Sequence, residues 1–474
     1  MGQAGILPSP GRVSSVAIVT WTGATPGCGG GSVPAAVVGG VGGGVVATLV
    51  VLGRRATVRG TVAPVVAGAV GGAAVGGGLA VVAGTSVVGT WARTGQAPAD
   101  RPAMKVAHTT MAAAVRGFGW RRCNYAAPMQ HRSLGRTGVA VSPLCLGAMM
   151  FGAWGNPDHD DCVRIIHAAL GAGINFIDTA DVYSAGESEQ IVGKALSGGR
   201  RDDVVLATKF HAPMGDDPNQ RGNSRRWIIR ECEASLRRLG TDWIDLYQVH
   251  RPDPACDIDE TLAALSDHVH QGKVRYLGSS TFPASAIVEG QWTAERRGRE
   301  RFVCEQPPYS ILVRGIEADL LPTCERYDMG VIPWSPLAGG WLSGKYRKGA
   351  AAPKGGRAAR IPQRYDATLP ENQRKLDVVE ELVSLADEAG VSLVQLAIAF
   401  VLEHPAVTAA IIGPRTMEHL EGQLGAAELV LDEKILDRID ELVPPGTDLN
   451  VADAGWTPPA LADAALRRRR ATRA

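Results

Sequence analysis

A (β/α)8 TIM barrel, which belongs to the α/β class, is the fold that this sequence of 474 residues predicts. From Met129 onward, eight short apolar segments typical of strands alternate with longer segments typical of helices. Parallel strands joined by right-handed helical connections close into such a barrel, which takes about 250 residues or more. Polar side chains also follow several strand segments, at the end where barrels carry their functional residues.

The strands are predicted as apolar runs in chain order, at 139–146, 176–180, 204–209, 245–250, 274–279, 302–306, 330–334 and 408–413. Helices are predicted between them at 160–172, 188–196, 227–239, 258–271, 317–327, 376–389 and 393–402. A hairpin at 130–141 is expected to close the bottom of the barrel. The basic stretch 347–374, rich in Gly, Ala and Pro, is predicted to be a lid, because a loop of this length in a compact domain is usually functional.

The first 128 residues differ in composition from the rest of the chain. Gly, Ala and Val dominate them, and Asp100 and Lys105 are their only acidic residue and only lysine. We interpret 1–128 as a low-complexity extension that is disordered, or spurious in the sense that it translates a GC-rich upstream region. A membrane anchor is one alternative, because 61–91 is uncharged and about 20 apolar residues suffice to cross a bilayer. A cleaved targeting segment is another.

The barrel domain is then predicted at 129–445 and a C-terminal tail at 446–474, of which the end ALRRRRATRA, at 465–474, is expected to be solvated and disordered. A formal net charge of +1 gives no sign of a nucleic-acid partner. The eight cysteines are scattered without a Cys-x-x-Cys pair, which argues against a metal site and against a disulfide scaffold. We therefore expect no metal, and a reducing, cytoplasmic location.

Four polar residues lie at or just past the ends of strand segments: Asp178, Tyr183, Lys209 and His250. A free tyrosine has a pKa of about 10 and is a weak acid near neutrality. A neighbouring lysine ammonium lowers that pKa, a carboxylate holds the lysine in place, and a histidine orients a carbonyl or relays protons. Each residue alone has a purely structural interpretation, but at matching rim positions together they indicate proton donation by the tyrosine.

These four residues resemble the tetrad of the aldo-keto reductase superfamily, and the resemblance extends from about Met129 to about Pro445. It implies an NADP-dependent oxidoreductase that reduces aldehyde or ketone carbonyls to alcohols. A hydride would pass directly from NADPH to a small-molecule carbonyl substrate, with Tyr183 as the proton donor. The predicted lid at 347–374 would then close over the cofactor phosphates.

Four further motifs are similar to the cofactor-binding segments of that family: GSSTF at 278–282, CEQPPYS at 304–310, PWSPLAGGWLSGKY at 333–346 and IIGPRTMEHLEGQLGA at 411–426. The resemblance implies that the cofactor is bound by Ala148, Met149, Ser280, Thr281, Gln306, Trp334, Ser335, Pro336, Leu337, Ala338, Gly339, Lys345, Gly413, Arg415, His419, Gly422 and Gln423.

The resemblance implies that different residues of this set bind different parts of the cofactor. Ser280 and Gln306 would bind the nicotinamide amide, and Trp334 would stack on the ring. The residues that would meet the pyrophosphate and the adenosine ribose are Ser335, Leu337, Gly339 and Lys345. Arg415, a charged fork, suits a ribose 2′-phosphate, which predicts preference for NADPH.

Two positions depart from the family pattern, since His419 stands where Gln is usual and Gln423 where Asn is usual. Both side chains can still bond to adenine. Two alternative functions remain open: a nicotinamide-binding redox-sensing module with little turnover, like the potassium-channel β-subunits, and a membrane protein with an appended reductase. The sequence does not indicate which carbonyl compound is the substrate, or the oligomeric state.

Overall fold

Short runs of Val, Ile, Leu and Phe form eight parallel strands in the computed structural model, which describes residues 129–350, 358 and 360–468. The barrel strands are β3 (Leu144–Gly147), β4 (Phe176–Asp178), β5 (Val205–Phe210), β6 (Ile244–Val249), β7 (Val274–Ser280), β8 (Phe302–Gln306), β9 (Gly330–Val331) and β10 (Ala410–Ile412). The strand order is β10-β3-β4-β5-β6-β7-β8-β9.

The sheet curls until its two outer strands meet. The backbone amide of Thr408 donates to the carbonyl of Val331 at 2.8 Å, and that of Ile411 donates to Pro333 at 2.9 Å. These bonds join the segment that enters β10 to β9 and its continuation. The predicted (β/α)8 barrel is therefore confirmed.

Helices cover the outside of the sheet. They are α1 (His159–Gly171), α2 (Glu187–Leu196), α3 (Arg225–Leu239), α4 (Ile258–His270), α5 (Ala284–Arg297), α6 (Leu320–Arg326), α7 (Pro370–Glu388), α8 (Leu393–Glu403), α9 (Met417–Leu424) and α10 (Glu433–Leu442), followed by the short helices α11 (Pro459–Ala462) and α12 (Ala464–Arg467). Several begin at a side-chain cap, as α8 does at Ser392, where Ser392 and Gln395 form a reciprocal capping box. Helices α5, α9, α10, α11 and α12 are additions to those predicted from sequence.

The predicted strand 139–146 is wrong in one respect, because it is two elements. Strand β2 (Ala140–Val141) pairs antiparallel with β1 (Arg132–Ser133), and β3 starts only after Pro143. Proline lacks the N–H that a continuous central strand would need. The predicted strand 330–334 is likewise shorter, with β9 limited to two residues.

The hairpin of β1 and β2 closes the bottom of the barrel, as expected. Leu134, in the turn between the two strands, is fully buried and packs with Phe176 and Leu246 inside the barrel. A second and larger apolar cluster fills the space between the sheet and the helices. The barrel mouth at the opposite end is thus left for the site.

Among the described residues, no single helix is long and apolar enough to cross a membrane. Only the pair α7 and α8, bent by 92° at their junction, passes that test jointly by length and composition. The hypotheses about 1–128 fall outside the described residues, as does the basic end of the tail at 469–474.

Candidate active site

Three of the four predicted catalytic residues meet at the C-terminal rim of the barrel. Asp178 ends β4, and Lys209 lies near the end of β5, the neighbouring strand. The Lys209 Nζ atom donates to Asp178 Oδ2 at 2.6 Å, to the backbone oxygen of Thr179 at 2.7 Å and to the Tyr183 hydroxyl at 3.3 Å. Lys209 is 0% exposed and Asp178 2% exposed. The three N–H bonds of the ammonium therefore all have partners.

His250 completes the group on the open side. Its ring centroid lies 5.8 Å from that of Tyr183, with the planes at 80°. Both rings are partly exposed, in contrast to the buried Lys209. Trp154 also lies against Tyr183, with ring centroids 6.0 Å apart. The ring of Tyr183 is thus in contact with both an indole and an imidazole at the mouth.

A tight left-handed turn places Tyr183 over the ends of β4 and β5. Ser184 and Ala185 adopt φ values of 50° and 57°, and Gly186 follows at 94°. A Cβ on Gly186 would lie 2.7 Å from Arg238 Cδ, so this position requires glycine. Such strained backbone is typical of functional sites.

Electrostatics keep Tyr183 protonated. Burial raises the pKa of Tyr183, and Lys209 opposes that rise without overcoming it. The expected effect of the lysine is present in direction, but desolvation of the phenolate outweighs it. Burial acts to lower the pKa of Lys209, yet Asp178 and Tyr183 raise it by more, so the ammonium stays charged. Burial, with Lys209 next in size, holds the pKa of His250 well below its usual range, so this imidazole is neutral.

Two residues of the site were not predicted from sequence. Gln248 donates to Asp178 Oδ1 at 3.1 Å, beside Gln306, which donates to the same oxygen at 2.8 Å. Gln248 lies on β6, two residues before His250, which follows the strand. Because side chains two residues apart in extended chain point to the same side, this spacing could have indicated Gln248 as a site residue. The other residue is Arg251, whose Nη1 donates to the Thr281 hydroxyl at 2.9 Å.

The predicted nicotinamide segment follows β7 and is fastened to β8. The Ser280 hydroxyl donates to the backbone oxygen of Gln306 at 2.9 Å. Thr281 has a φ of 61°, an unusual value for a β-branched residue. The Glu305 carboxylate accepts from the Ser279 hydroxyl and from the backbone amide of Phe282. Burial raises the pKa of Glu305 to about 7.

The predicted cofactor residues after β9 form a compact turn. Ser335, Ala338 and Gly339 all have positive φ, and the hydroxyl of Tyr365 donates to the Gly339 carbonyl at 2.8 Å. Trp334 and the same three residues line one cavity. Of the other predicted residues in this part of the rim, Pro336 and Ala148 are buried, and Leu337 and Met149 are partly buried.

One residue of the predicted lid, Arg360, contacts the loop after β3. The Arg360 guanidinium lies over the Trp154 ring, 5.0 Å from its centroid. The two residues come from the loops after β9 and β3. This contact places Arg360 next to Trp154, whose ring centroid lies 6.0 Å from that of Tyr183.

The predicted phosphate-binding residues gather at the beginning of α9. Lys345 Nζ lies 3.3 Å from His419 Nε2, and Thr416 caps the helix by accepting from the His419 amide at 3.3 Å. Burial lowers the pKa of His419, and the charges of Lys345 and Arg415 lower it further. A cluster of cations at a helix N-terminus is suited to an anion.

Glycine and glutamine residues leave this region fit for a nucleotide. A Cβ added at Gly413 or Gly422 would meet no atom within 4 Å, so the surface beside the cations is open. Gln423 is buried, yet its Oε1 has no hydrogen-bond partner in the part of the chain that the structure describes. A buried amide oxygen of this kind can accept a hydrogen bond from a ligand or from an ordered water. The described residues contain no cluster suited to a metal ion.

The barrel and the polar tetrad at its mouth agree with the match of this sequence to a family of oxidoreductases. The sequence model described as "Aldo/keto reductase family" matches residues 143–444. This protein therefore belongs to the aldo/keto reductase family, whose members use NAD(P)H.

Three relatives illustrate the range of similar proteins. The uncharacterized oxidoreductase YrpG of Bacillus subtilis is 41% identical, over 67% of this chain and 96% of its own length. A probable voltage-gated potassium channel subunit beta of Arabidopsis thaliana is 35% identical, over 66% of this chain and 97% of its own. A putative aryl-alcohol dehydrogenase of Schizosaccharomyces pombe is 34% identical, over 66% of this chain and 95% of its own.

Proposed function

We propose that this protein reduces aldehyde or ketone carbonyls to alcohols with NADPH, using Tyr183 as the proton donor. The observation that carries the proposal is the position of the Lys209 ammonium between Asp178 Oδ2, at 2.6 Å, and the Tyr183 hydroxyl, at 3.3 Å. The neutral imidazole of His250 at the same mouth, whose pKa burial holds well below its usual range, is a further support. We also infer a cytoplasmic location from the cysteines, since those in the described residues are all unpaired.

The proton moves from the Tyr183 hydroxyl to the carbonyl oxygen. Lys209 donates to the tyrosine oxygen, so the phenolic proton remains free to point at a substrate. NADPH, when bound, would supply the hydride that adds to the carbonyl carbon. As Tyr183 loses its proton, the ammonium of Lys209 stabilises the developing phenolate, and solvent later restores the proton. Neutral His250 can donate one N–H to the same carbonyl oxygen and hold it in place.

Residues at α9 and after β9 would hold the cofactor. Lys345 and Arg415 would offer positive charge to a ribose 2′-phosphate, and His419 and the amide oxygen of Gln423 would offer hydrogen-bonding groups to adenine. Trp334 would face the nicotinamide, with Ser280 near its amide. Gln306 would bind that amide only if its contact with Asp178 is shared or exchanged.

The direct test is a panel of aromatic, aliphatic and sugar carbonyls, with NADPH oxidation followed optically. We expect turnover with at least one class and a higher kcat/KM with NADPH than with NADH. Tight NADPH binding without turnover on any substrate would instead support the redox-sensing alternative, for which the similarity to potassium channel β-subunits is the motivation.

Arg415→Ala tests the choice of cofactor. We expect NADPH affinity to fall by roughly ten- to a hundredfold and NADH affinity to change little, because a charged hydrogen bond to phosphate is worth about 1.5–3 kcal/mol. Dissociation constants from fluorescence titration are the measurement. Arg438→Ala, which removes a guanidinium from an exposed ion pair on α10, is the control. Equal weakening of both cofactors would show that Arg415 does not bind the 2′-phosphate.

A further inference from the structure

The chain does not leave the barrel after α10 but crosses its rim. We call residues 447–455 the C-terminal strap. The backbone amide of Arg314 donates to the Thr447 carbonyl at 3.0 Å, and the amide of Leu449 donates to Leu312 at 3.1 Å. Asp448 forms an isolated antiparallel bridge with Val313. The first residues of the strap therefore pair through backbone hydrogen bonds with the loop after β8.

The far end of the strap contacts both sides of the predicted nicotinamide site. A Cβ built on Gly455, whose φ is 84°, would lie 2.8 Å from Trp334 Cζ2 and 3.0 Å from Thr281 Cγ2. Trp334 follows β9 and Thr281 follows β7, so one strap residue joins two separate loops. Only glycine combines this φ with so close an approach.

A buried carboxylate fastens the strap. Asp453 is 7% exposed, and its Oδ1 accepts from Arg364 Nε at 2.9 Å and Nη2 at 2.7 Å. Its Oδ2 pairs with Lys375, which lies on α7 and is 0% exposed. A buried ammonium needs an anionic partner, and the strap supplies it.

The same carboxylate is linked to the cofactor turn. Arg364 precedes Tyr365, whose hydroxyl donates to the Gly339 carbonyl. Asp453 and Arg364 also line the cavity formed with Trp334, Ser335 and Gly339. Movement of the strap would thus release the turn that carries the predicted pyrophosphate contacts.

We propose that Asp453 is a positioning residue, and that the C-terminal strap which it fastens retards release of the nicotinamide cofactor. This inference rests on the proposed function. A cofactor lying against Trp334 and the 335–339 turn would leave only after the C-terminal strap, which the Asp453–Arg364 ion pair holds in place, moves aside. The ion pairs of Asp453 oppose that movement, because opening would leave Lys375 unpaired in a buried site.

Arg364→Gln in the full chain is the first test, since it weakens the fastening without leaving a buried charge. We expect the NADPH dissociation rate, measured by stopped-flow displacement, to rise about tenfold, as for the loss of a charge-assisted hydrogen bond. Melting temperature should stay close to that of the wild type. Hydrogen exchange of 447–455 should be faster in the variant. Arg326→Gln, an exposed arginine on α6, is the matched control.

A double variant, Asp453→Asn with Lys375→Met, removes both buried charges and should release NADPH at least as fast as Arg364→Gln. Unchanged NADPH dissociation rates in both folded variants would overturn the role of the strap and leave the proposed function standing. So would an equal acceleration in Arg326→Gln. A wild-type chain that binds no nicotinamide cofactor would overturn the proposed function, and this inference with it.

Discussion

At the scale of single residues, Lys209 decides the chemistry that the site can perform. Its ammonium is buried and makes three hydrogen bonds, to a carboxylate, a backbone carbonyl and a phenol. Because the phenol of Tyr183 accepts one of these bonds, its own proton points away from the lysine. Tyr183 is therefore suited to act as an acid, because the Lys209 ammonium stabilises the phenolate as it forms.

Tyr183→Phe should lower turnover by a factor on the order of a hundred or more, because it removes the proton donor and almost no packing. NADPH affinity should change by less than about twofold. Steady-state kinetics and a fluorescence titration measure the two quantities. Tyr276→Phe, a partly buried tyrosine on β7, is the control. Comparable turnover in Tyr183→Phe would show that another group donates the proton.

The raised pKa of Glu305 predicts that the free energy of unfolding depends on pH. Its folded pKa of about 7 lies above the ordinary 4.5, so the native state holds the proton more tightly than the unfolded state. The resulting stabilisation is complete below about pH 4.5 and is lost as the pH rises through about 7. Its size is about 3 kcal/mol.

Glu305→Gln should therefore gain stability relative to the wild type between about pH 4.5 and 8, since the amide cannot ionise. Urea unfolding at several pH values measures the difference. Glu325→Gln, which alters an exposed carboxylate on α6, should show no such trend. A constant difference between Glu305→Gln and wild type would contradict the raised pKa.

At the scale of elements, the strained backbone lies mostly in the loops at the barrel mouth, whereas the β1–β2 hairpin closes the opposite end. Seven described residues other than glycine have positive φ, and six of these lie at the mouth: Ser184, Ala185, His211, Thr281, Ser335 and Ala338. The bottom is closed by the β1–β2 hairpin, where Leu134 fills the end of the barrel interior. Function and stability thus occupy opposite ends of the same strands.

Leu134→Ala should lower the free energy of unfolding by about 2–5 kcal/mol, because it leaves a cavity among fully buried side chains. Activity of the folded fraction should be unchanged, since the residue lies at the end of the barrel away from the mouth. Denaturant titration and kinetics check the two statements. Val139→Ala in the same hairpin, at a partly exposed position, should cost less. A large loss of kcat in stable Leu134→Ala protein would argue against this separation.

At the scale of the whole molecule, we predict that residues 1–128 contribute nothing to the stability or chemistry of the barrel. Eight strands that close on each other lie within the described residues, all after Met129. A chain beginning at Met129 should be soluble, unfold cooperatively and match or exceed the full chain in activity. Circular dichroism and carbonyl reduction measure this. An inactive or aggregated short chain, beside a full chain active in detergent, would favour the membrane-anchor alternative.

The sequence by itself determined the barrel and the positions of Asp178, Tyr183, Lys209 and His250 along it. Strand periodicity and the parallel order of the strands bring their C-terminal ends to one rim, so residues far apart in sequence become neighbours. The same local signals could not separate β2 from β3, although Pro143 was a visible cue.

Only the tertiary structure decided what surrounds these residues. The pKa of Tyr183 is raised because burial outweighs Lys209, and burial is a property of the packed mouth rather than of neighbouring residues in sequence. Asp453 reaches Arg364 and Lys375 across 89 and 78 positions of the chain. No local pattern encodes such pairs, because the buried, low-dielectric surroundings that strengthen the attraction between the charges exist only once distant segments have packed together.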